Sequence, residues 1–286
     1  MSRDPMFSYR HGFRAGNHTD VLKHVVLVQM LAYMTAKDKP LWVIDTHAGA
    51  GSYSLASSFA RKTAEFRSGI GRLWERHDLP AALADYLRQV RAVNPDGVLR
   101  TYPGSPQIAL QMLRPADRLR LFELHTTEVR ILQEHFRGAG RRVAVQAADG
   151  FAGLKALLPP PSRRGLVLID PSYEDKADYR RVVDTMSDAL QRFATGTYAV
   201  WYPLVQRKDA QALPGQLRQL AQGDWLDVWL KVMAPSKDGL GLHGSGLFVF
   251  NPPWRLEAIL RAAMQTLVRL LGQDGKAAFG LQSRRT

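Results

Sequence analysis

Short apolar runs alternate along this chain with amphipathic stretches of about three helical turns. The runs are rich in β-formers and predict strands at residues 41–45, 118–124, 142–149, 165–170 and 197–204. The stretches between and before them predict helices at residues 19–36, 128–136, 150–158 and 178–193, the first with Thr19 or Asp20 as its N-cap. Strands separated by helices are typical of βαβ units, so the pattern predicts an α/β fold with a doubly wound, mainly parallel, Rossmann-like sheet.

Two regions depart from this alternation. Residues 225–233 and 246–254 predict two strands joined by a turn-rich link, which indicates an antiparallel pair at the C-terminal end of the sheet. Residues 55–100 are polar, rich in arginine and helical in pattern, with the clearest helix at 79–93. We therefore expect one domain over residues 1–286, with residues 55–100 as a helical insertion subdomain.

The amino-acid composition and net charge exclude some kinds of functional site and favour one kind of partner. The 286 residues are 45% hydrophobic, contain no cysteine and carry a formal net charge of +13. Disulfides, thiolate metal sites and thiol nucleophiles are thus excluded. The charge favours a polyanionic partner such as nucleic acid, although a solvated basic surface would look the same. Without a signal-like start or an apolar run of membrane length, we expect a cytoplasmic protein with no membrane association.

Acidic residues stand at the ends of four predicted strands. They are Asp45, Glu123, Asp149 and Asp170. Ligands of such sheets bind beyond the carboxyl ends of the strands, so these side chains should face one crevice. A crevice crowded with carboxylates suits hydroxyls, amines and a cationic centre better than phosphates.

The turn after the first strand contains Gly49 and Gly51. It could begin the dinucleotide fingerprint, but the third position of that motif is Ser54, and a lone G-x-G is weak; it could also be only a tight turn. Glycines let the backbone approach a ligand closely. Glu123 can accept from ribose hydroxyls and Asp149 from an adenine amine, so S-adenosylmethionine, a sulfonium without phosphate, is the predicted cofactor.

Several segments resemble one known family. They are FSYRHGFRAGNHTDVLKH, DTHAGAGSY, YPGSP, ADGF, SRRGLVLIDPSYE and VFNPPW, which span the chain from about Phe7 to beyond Trp254. They resemble the RlmJ family, which methylates the N6 amine of an adenine in bacterial 23S ribosomal RNA. The resemblance implies a monomeric enzyme of rRNA processing that uses S-adenosylmethionine and no metal.

The resemblance also implies roles for individual residues. Asp170, Pro171 and Tyr173 would be catalytic, in a motif where the family has a second proline in place of Ser172. Tyr9 would lie near the entering RNA. The implied cofactor contacts are Lys23, His24, His47, Ser105, Glu123, Asp149, Gly150 and Asp170, in addition to the glycine turn.

Some alternatives stay open at this stage. Amino-methyltransferases carry a target-amine motif of the form (D/N)-P-P-(Y/F/W), which Asp170-Pro171-Ser172-Tyr173 resembles. Asn251-Pro252-Pro253-Trp254 matches this motif better letter by letter, but it follows the predicted antiparallel pair. DNA adenine and cytosine amines would suit the same chemistry, and a non-catalytic RNA-binding or assembly factor could retain the fold. Arg163 and Arg164 are expected to hold RNA at the mouth of the crevice. His11, His18 and His24 do not fall on one helical face, so no metal site is predicted.

Overall fold

A computed structural model describes residues 11–239 and 241–285. Within these residues, a large sheet is flanked by helices on both faces, and a small sheet of two antiparallel strands lies beside it. The strands are β1 Trp42–Asp45, β2 Ser52–Ser54, β3 Thr101–Pro103, β4 Arg118–Phe122, β5 Val143–Gln146, β6 Gly165–Ile169, β7 Thr197–Leu204, β8 Trp225–Lys231, β9 Gly244–Phe250 and β10 Ala278–Arg284. The helices are α1 His18–Thr35, α2 Ser58–Thr63, α3 Ala81–Ala92, α4 Ser105–Met112, α5 Thr126–His135, α6 Gly150–Leu157, α7 Ala177–Arg192, α8 Lys208–Leu220 and α9 Leu256–Leu271.

The described sheet has eight strands in the order β10-β8-β9-β7-β6-β1-β4-β5. The five strands from β7 to β5 are parallel, whereas β9 runs antiparallel to both β7 and β8, and β10 antiparallel to β8. The predicted α/β class, with a mainly parallel sheet and antiparallel C-terminal strands, is confirmed. The sequence pattern had not placed β9 between β7 and β8, nor predicted β10.

Helix α1 is buried on nearly every side over His18–Leu31, because it packs against α3, α4, α9 and β9. Its N-cap is Asn17, whose side chain accepts from the backbone N–H groups of Thr19 and Asp20. The predicted caps, Thr19 and Asp20, were therefore wrong by two and three residues. Helix α1 is largely apolar, but no helix in the described part of the chain is long and apolar enough to cross a membrane.

The region predicted as an insertion connects β2 and β3, the two strands of the small antiparallel sheet. Its helix α3 buries one face, which includes Leu83, Tyr86 and Val90, in the same hydrophobic core as the sheet. At Gly69 the chain runs against the start of α1, where an added Cβ would lie 2.1 Å from the Gly16 carbonyl oxygen. The description of residues 55–100 as a separate subdomain stays a prediction.

Candidate active site

The four acidic strand ends lie side by side. The strand order β6-β1-β4-β5 makes neighbours of the segments that carry Asp170, Asp45, Glu123 and Asp149. In register, Asp45 of β1 is opposite Leu121 of β4 and Leu168 of β6. Because these strands are parallel, their carboxyl ends meet at one edge of the sheet. We call this region the cleft edge.

The glycine turn after β1 is shaped by positive backbone angles, φ 59° at Gly49 and 80° at Gly51. The Gly49 N–H donates to Oε2 of Glu123 at 2.8 Å, which fixes the turn against the end of β4. An added Cβ at Gly49 would lie 2.1 Å from the Tyr53 hydroxyl. Glycine is therefore required there both by the left-handed conformation and by the neighbouring side chain.

A cavity opens above this turn and brings most of the predicted site together. Its lining includes Lys23, His24, His47, Gly49, Ser105, Glu123, Asp170 and Pro171. An adjoining cavity is lined by Asp149 and Gly150 and shares His47, Glu123, Leu124 and Ser172 with the first. Gly51 and Tyr173 are absent from both of these linings. The first cavity is also lined by three residues that sequence reasoning did not assign to the site: Arg14, Thr19 and Trp201.

Asp170 is held by a lysine from α1. The Lys23 ammonium donates to Oδ2 of Asp170 at 2.6 Å and lies 2.9 Å from Oδ1 of Asp20. The Lys23 side chain is 6% exposed, and the two carboxylates more than offset the effect of burial, so the pKa of Lys23 is raised. The pair joins residues 147 positions apart and fixes the Asp170 carboxylate at the cavity wall.

Asp45 forms a second buried contact beneath the cavity. Its Oδ2 accepts from the Ser105 hydroxyl at 2.6 Å and its Oδ1 from the His47 N–H at 3.2 Å. Burial outweighs these hydrogen bonds and raises the pKa of Asp45 to about 6. Ser105, predicted as a cofactor contact, thus also ties the start of α4 to the end of β1.

Glu123 and Asp149 are oriented by backbone donors. Besides the bond from Gly49, Glu123 accepts from the His125 N–H at 2.7 Å, and burial raises its pKa. Asp149 caps α6 by accepting from the Phe151 N–H at 2.9 Å, and its other oxygen is paired with Arg181. Each carboxylate oxygen has two lone pairs, so both groups retain acceptor capacity for a ligand.

The histidines of the site have polar partners. His47 contacts the Thr46 hydroxyl through Nδ1 at 2.8 Å, and burial lowers the pKa of His47 to about 4, so the ring is neutral near pH 7. His24 is 1% exposed and contacts the Tyr102 hydroxyl through Nδ1 at 2.7 Å. The His47 ring can therefore act as a hydrogen-bonding wall of the cavity but not as a cation, and His24 adds a second ring with a polar partner.

Tyr173, which the resemblance implies is catalytic, has a buried side chain. The side chain is 3% exposed, and its hydroxyl donates to the Trp201 carbonyl at 2.7 Å. The ring packs against Tyr179 and against the Trp201 ring, with centroid distances of 4.5 and 5.9 Å. Trp201, not Tyr173, is the aromatic side chain of this group at the cavity. Asp170, Pro171 and Ser172 all line the cavity.

The arginines expected at the mouth lie elsewhere. Arg163 and Arg164 directly precede β6, whereas Asp170 directly follows it, so they stand at the opposite edge of the sheet. The Arg164 guanidinium donates to the Met34 and Lys39 carbonyls. Their placement at the mouth was wrong because a strand separates them from it, and their contact with RNA stays a prediction. Tyr9 lies outside the described residues.

The alternative motif, Asn251-Pro252-Pro253-Trp254, also lies at the edge of the sheet opposite the cleft. Strand β9 is antiparallel to β7, with Phe250 opposite Tyr198, so Asn251 leaves the sheet where β7 begins. The Asn251 side chain donates to the Ala194 and Gly196 carbonyls at 2.7 Å each. It holds a loop together and is remote from the glycine turn, which excludes it from the cavity described above.

The donor set fits S-adenosylmethionine rather than a metal or a phosphate-bearing cofactor. Among the described residues, no group of three or more His, Asp or Glu side chains could hold a metal ion. The carboxylates at the cleft edge would repel phosphates, whereas they can accept hydrogen bonds from hydroxyl and amine groups. Gly150 lets the start of α6 pack on the turn after β1, since a Cβ there would lie 1.9 Å from the Thr46 carbonyl oxygen. Fold and site together define a Rossmann-like methyltransferase.

Comparison with known proteins identifies the family. The family model described as "Ribosomal RNA large subunit methyltransferase D, RlmJ" matches residues 38–280. The chain is 48% identical over 252 residues to ribosomal RNA large subunit methyltransferase J of Escherichia coli, covering 88% of this chain and 89% of the relative. It is 43% identical over 278 residues to the protein of the same name from Haemophilus influenzae, covering 97% and 98%.

A crystal structure of a Legionella pneumophila protein superposes with a TM-score of 0.86 at 36% identity, covering 94% of this chain and 98% of that one. The chain therefore belongs to the RlmJ family of ribosomal RNA large subunit methyltransferases. This confirms the resemblance of the motifs and the prediction of a methyltransferase enzyme with an RNA substrate.

Proposed function

We propose that the protein methylates the N6 amine of an adenine in 23S ribosomal RNA at the cleft edge, as a monomer, with Asp170 as the acceptor that orients the amine. Its methyl donor is S-adenosylmethionine, which supplies an electrophilic methyl group on a sulfonium. The observation that supports the assignment is the Asp170 carboxylate at the cavity wall, beside the Pro171 backbone and held by Lys23.

An adenine amine is a weak nucleophile because its lone pair is delocalised into the ring. Hydrogen bonds from its two N–H groups to the Asp170 carboxylate and the Pro171 carbonyl favour a pyramidal nitrogen with an outward lone pair. Holding the amine in one orientation can contribute about 7–11 kcal/mol to lowering the barrier. When the nitrogen takes the methyl group it loses a proton, for which Asp170 is the adjacent acceptor, a role worth roughly 10²–10⁴-fold.

Other residues of the site would bind the cofactor and orient the base. Lys23, His24, His47, Ser105, Gly49, Gly51, Glu123, Asp149 and Gly150 are proposed as the cofactor site. The base must be flipped out or unpaired to reach this cavity. Trp201 and Tyr173 form one aromatic group beside Asp170; stacking of a base on such a group is worth about 1–3 kcal/mol. Asp170 and Pro171, the neighbours of Ser172, line the cavity, which supports a catalytic enzyme over a non-catalytic RNA-binding factor.

The test compares Asp170→Ala with Asn251→Gly. Methyl transfer from labelled S-adenosylmethionine to unmodified 23S rRNA should fall by at least 10²-fold in the Asp170 variant, while calorimetry still detects cofactor binding. The Asn251 variant should melt at a lower temperature, because it loses two hydrogen bonds, yet keep its turnover; glycine suits the positive φ of 49° at this position. An active Asp170→Ala enzyme, or activity lost only in the Asn251 variant, would contradict the assignment.

A further inference from the structure

Cations are concentrated at the sheet edge opposite the cleft. This edge is formed by the amino ends of β1, β4, β5 and β6 together with the segments that lead into them. We define the basic edge by six residues: Lys39, Arg114, Arg118, Arg120, Arg142 and Arg164. It is separated from Asp170 by the length of a strand, about 20 Å for six residues at 3.3 Å each.

Two of these arginines converge on the loop between α1 and β1. The Arg164 guanidinium donates to the Met34 carbonyl at 2.6 Å and to the Lys39 carbonyl. The Arg114 guanidinium donates to the same Lys39 carbonyl at 2.8 Å. Carbonyl oxygens orient a guanidinium without cancelling its charge, so this network brings full positive charges together on one side of the sheet.

The strand β4 adds a second group beside the first. Arg118 donates to the carbonyl of Asp117 at 2.9 Å, and Arg142 to that of Leu113 at 2.8 Å. Arg120 lies with its guanidinium carbon 4.4 Å from the centroid of the Trp42 ring, and that ring is half-buried. An arginine over a partly exposed aromatic ring can contact both phosphate and base.

Little of this charge is neutralised by the described residues. Arg114 forms an ion pair with Asp117, a carboxylate that is fully buried, at 2.9 Å. Burial lowers the pKa of Arg164, Arg114 lowers it further and Asp117 partly opposes this. Burial and then Arg118 lower the pKa of Arg120. Neighbouring cations thus repel one another here, and a bound polyanion would relieve that repulsion.

The cleft edge has the opposite character, since carboxylates line it. An RNA that places one adenine there needs its phosphates neutralised elsewhere, because phosphate contacts provide most of the affinity for nucleic acids. We propose that the basic edge binds the RNA backbone at a second site, remote from the methylated adenine. The proposal rests on the proposed function, and it implies that a folded substrate RNA contacts two edges of the enzyme.

The test removes Lys39, the exposed lysine of the basic edge, and two exposed cations beside it, while leaving the half-buried arginines of that edge in place. The variant is Lys37→Gln, Lys39→Gln and Arg163→Asn; asparagine suits the positive φ of 51° at residue 163. Binding to transcribed 23S rRNA is measured over a salt series. The slope of log K against log salt should decrease by about 2–3, with affinity lowered roughly 10- to 100-fold near 0.1 M salt.

The matched control removes three exposed cations from the α9 side of the molecule: Arg261→Gln, Arg269→Gln and Lys276→Gln. It carries the same net charge, and its salt slope should change by less than about 1. Equal losses in both variants, or an unchanged slope in the first, would overturn the proposal. Weaker binding to ribosomal particles but not to naked RNA would also overturn it, in favour of a protein partner.

A short stem-loop that contains the methylated adenine separates this inference from the proposed function. If the stem-loop is kept too short to span the roughly 20 Å between the two edges, it fills only the cleft, so the kcat and KM for its methylation should be the same in the first variant and the parent. Loss of methylation on the stem-loop in that variant would count against a remote site. Failure of the parent enzyme to methylate either RNA would count against the proposed function, whereas the salt slopes still report on the basic edge.

Discussion

Replacing Lys23 by methionine tests the buried pair that holds Asp170. The change removes the ammonium and keeps much of the side-chain volume. It leaves two carboxylates, Asp20 and Asp170, with side chains 0% and 14% exposed. Removing one partner of a buried ion pair typically costs about 3–5 kcal/mol, because the remaining charge is uncompensated. Since whole domains are stable by only about 5–15 kcal/mol, this loss should be large.

A cycle with Asp170→Asn isolates the contact. If the pair acts as a unit, the double variant should be more stable than the sum of the single losses predicts, with a coupling of roughly 0.5–3 kcal/mol. The cycle does not include the contact of Lys23 with Asp20, so the free-energy cost of losing that contact is not part of the measured coupling. Asp20 keeps a second donor, the Gly16 N–H at 2.9 Å. The loss in Lys23→Met should also shrink as the pH falls and the carboxylates take up protons.

The measurement is urea unfolding at pH 7.5 and pH 5, followed by circular dichroism, with calorimetric binding of S-adenosylmethionine as a check of the folded state. Methyl transfer should fall in both single variants because Asp170 loses either its charge or its positioning partner. A Lys23→Met protein within about 0.5 kcal/mol of the parent, or strictly additive losses in the cycle, would refute the argument that this pair fixes the carboxylate.

Two further predictions concern the turn and the strand end beneath it. Gly49→Ala should weaken cofactor binding at least tenfold by calorimetry, because its Cβ would meet the Tyr53 hydroxyl; Gly97→Ala, with φ 77° and nothing within 4 Å, has the backbone strain without the clash and should bind normally. Asp45→Asn removes a carboxyl whose pKa is raised from 3.8 to about 6. The destabilising effect of this carboxyl is absent at low pH, develops as the pH rises from 3.8 to about 6, and is complete above that. Relative to the parent, the Asn variant should gain about 2–3 kcal/mol between pH 4 and pH 7.5 in urea unfolding, and no change in that difference would contradict the raised pKa.

The acidic cleft edge could be predicted from the sequence to a useful degree. Apolar runs of strand length that end on Asp45, Glu123 and Asp170 fix both the strands and their terminal side chains, because side-chain burial is set by local pattern. The glycine turn was equally readable, since positive φ angles favour glycine. In the structure these features meet at one edge because successive βαβ units keep their strands parallel.

Only the tertiary structure decided at which edge of the sheet a residue lies and which residues distant in sequence are in contact. The direction of β9 put Asn251 at the edge remote from the glycine turn, and the strand β6 put Arg163 and Arg164 at that same edge. The contact of Lys23 with Asp170 joins side chains 147 residues apart. A local pattern specifies which residues form a strand and which face is apolar, but strand order, direction and long-range pairs follow from how those faces pack together, which no single segment encodes.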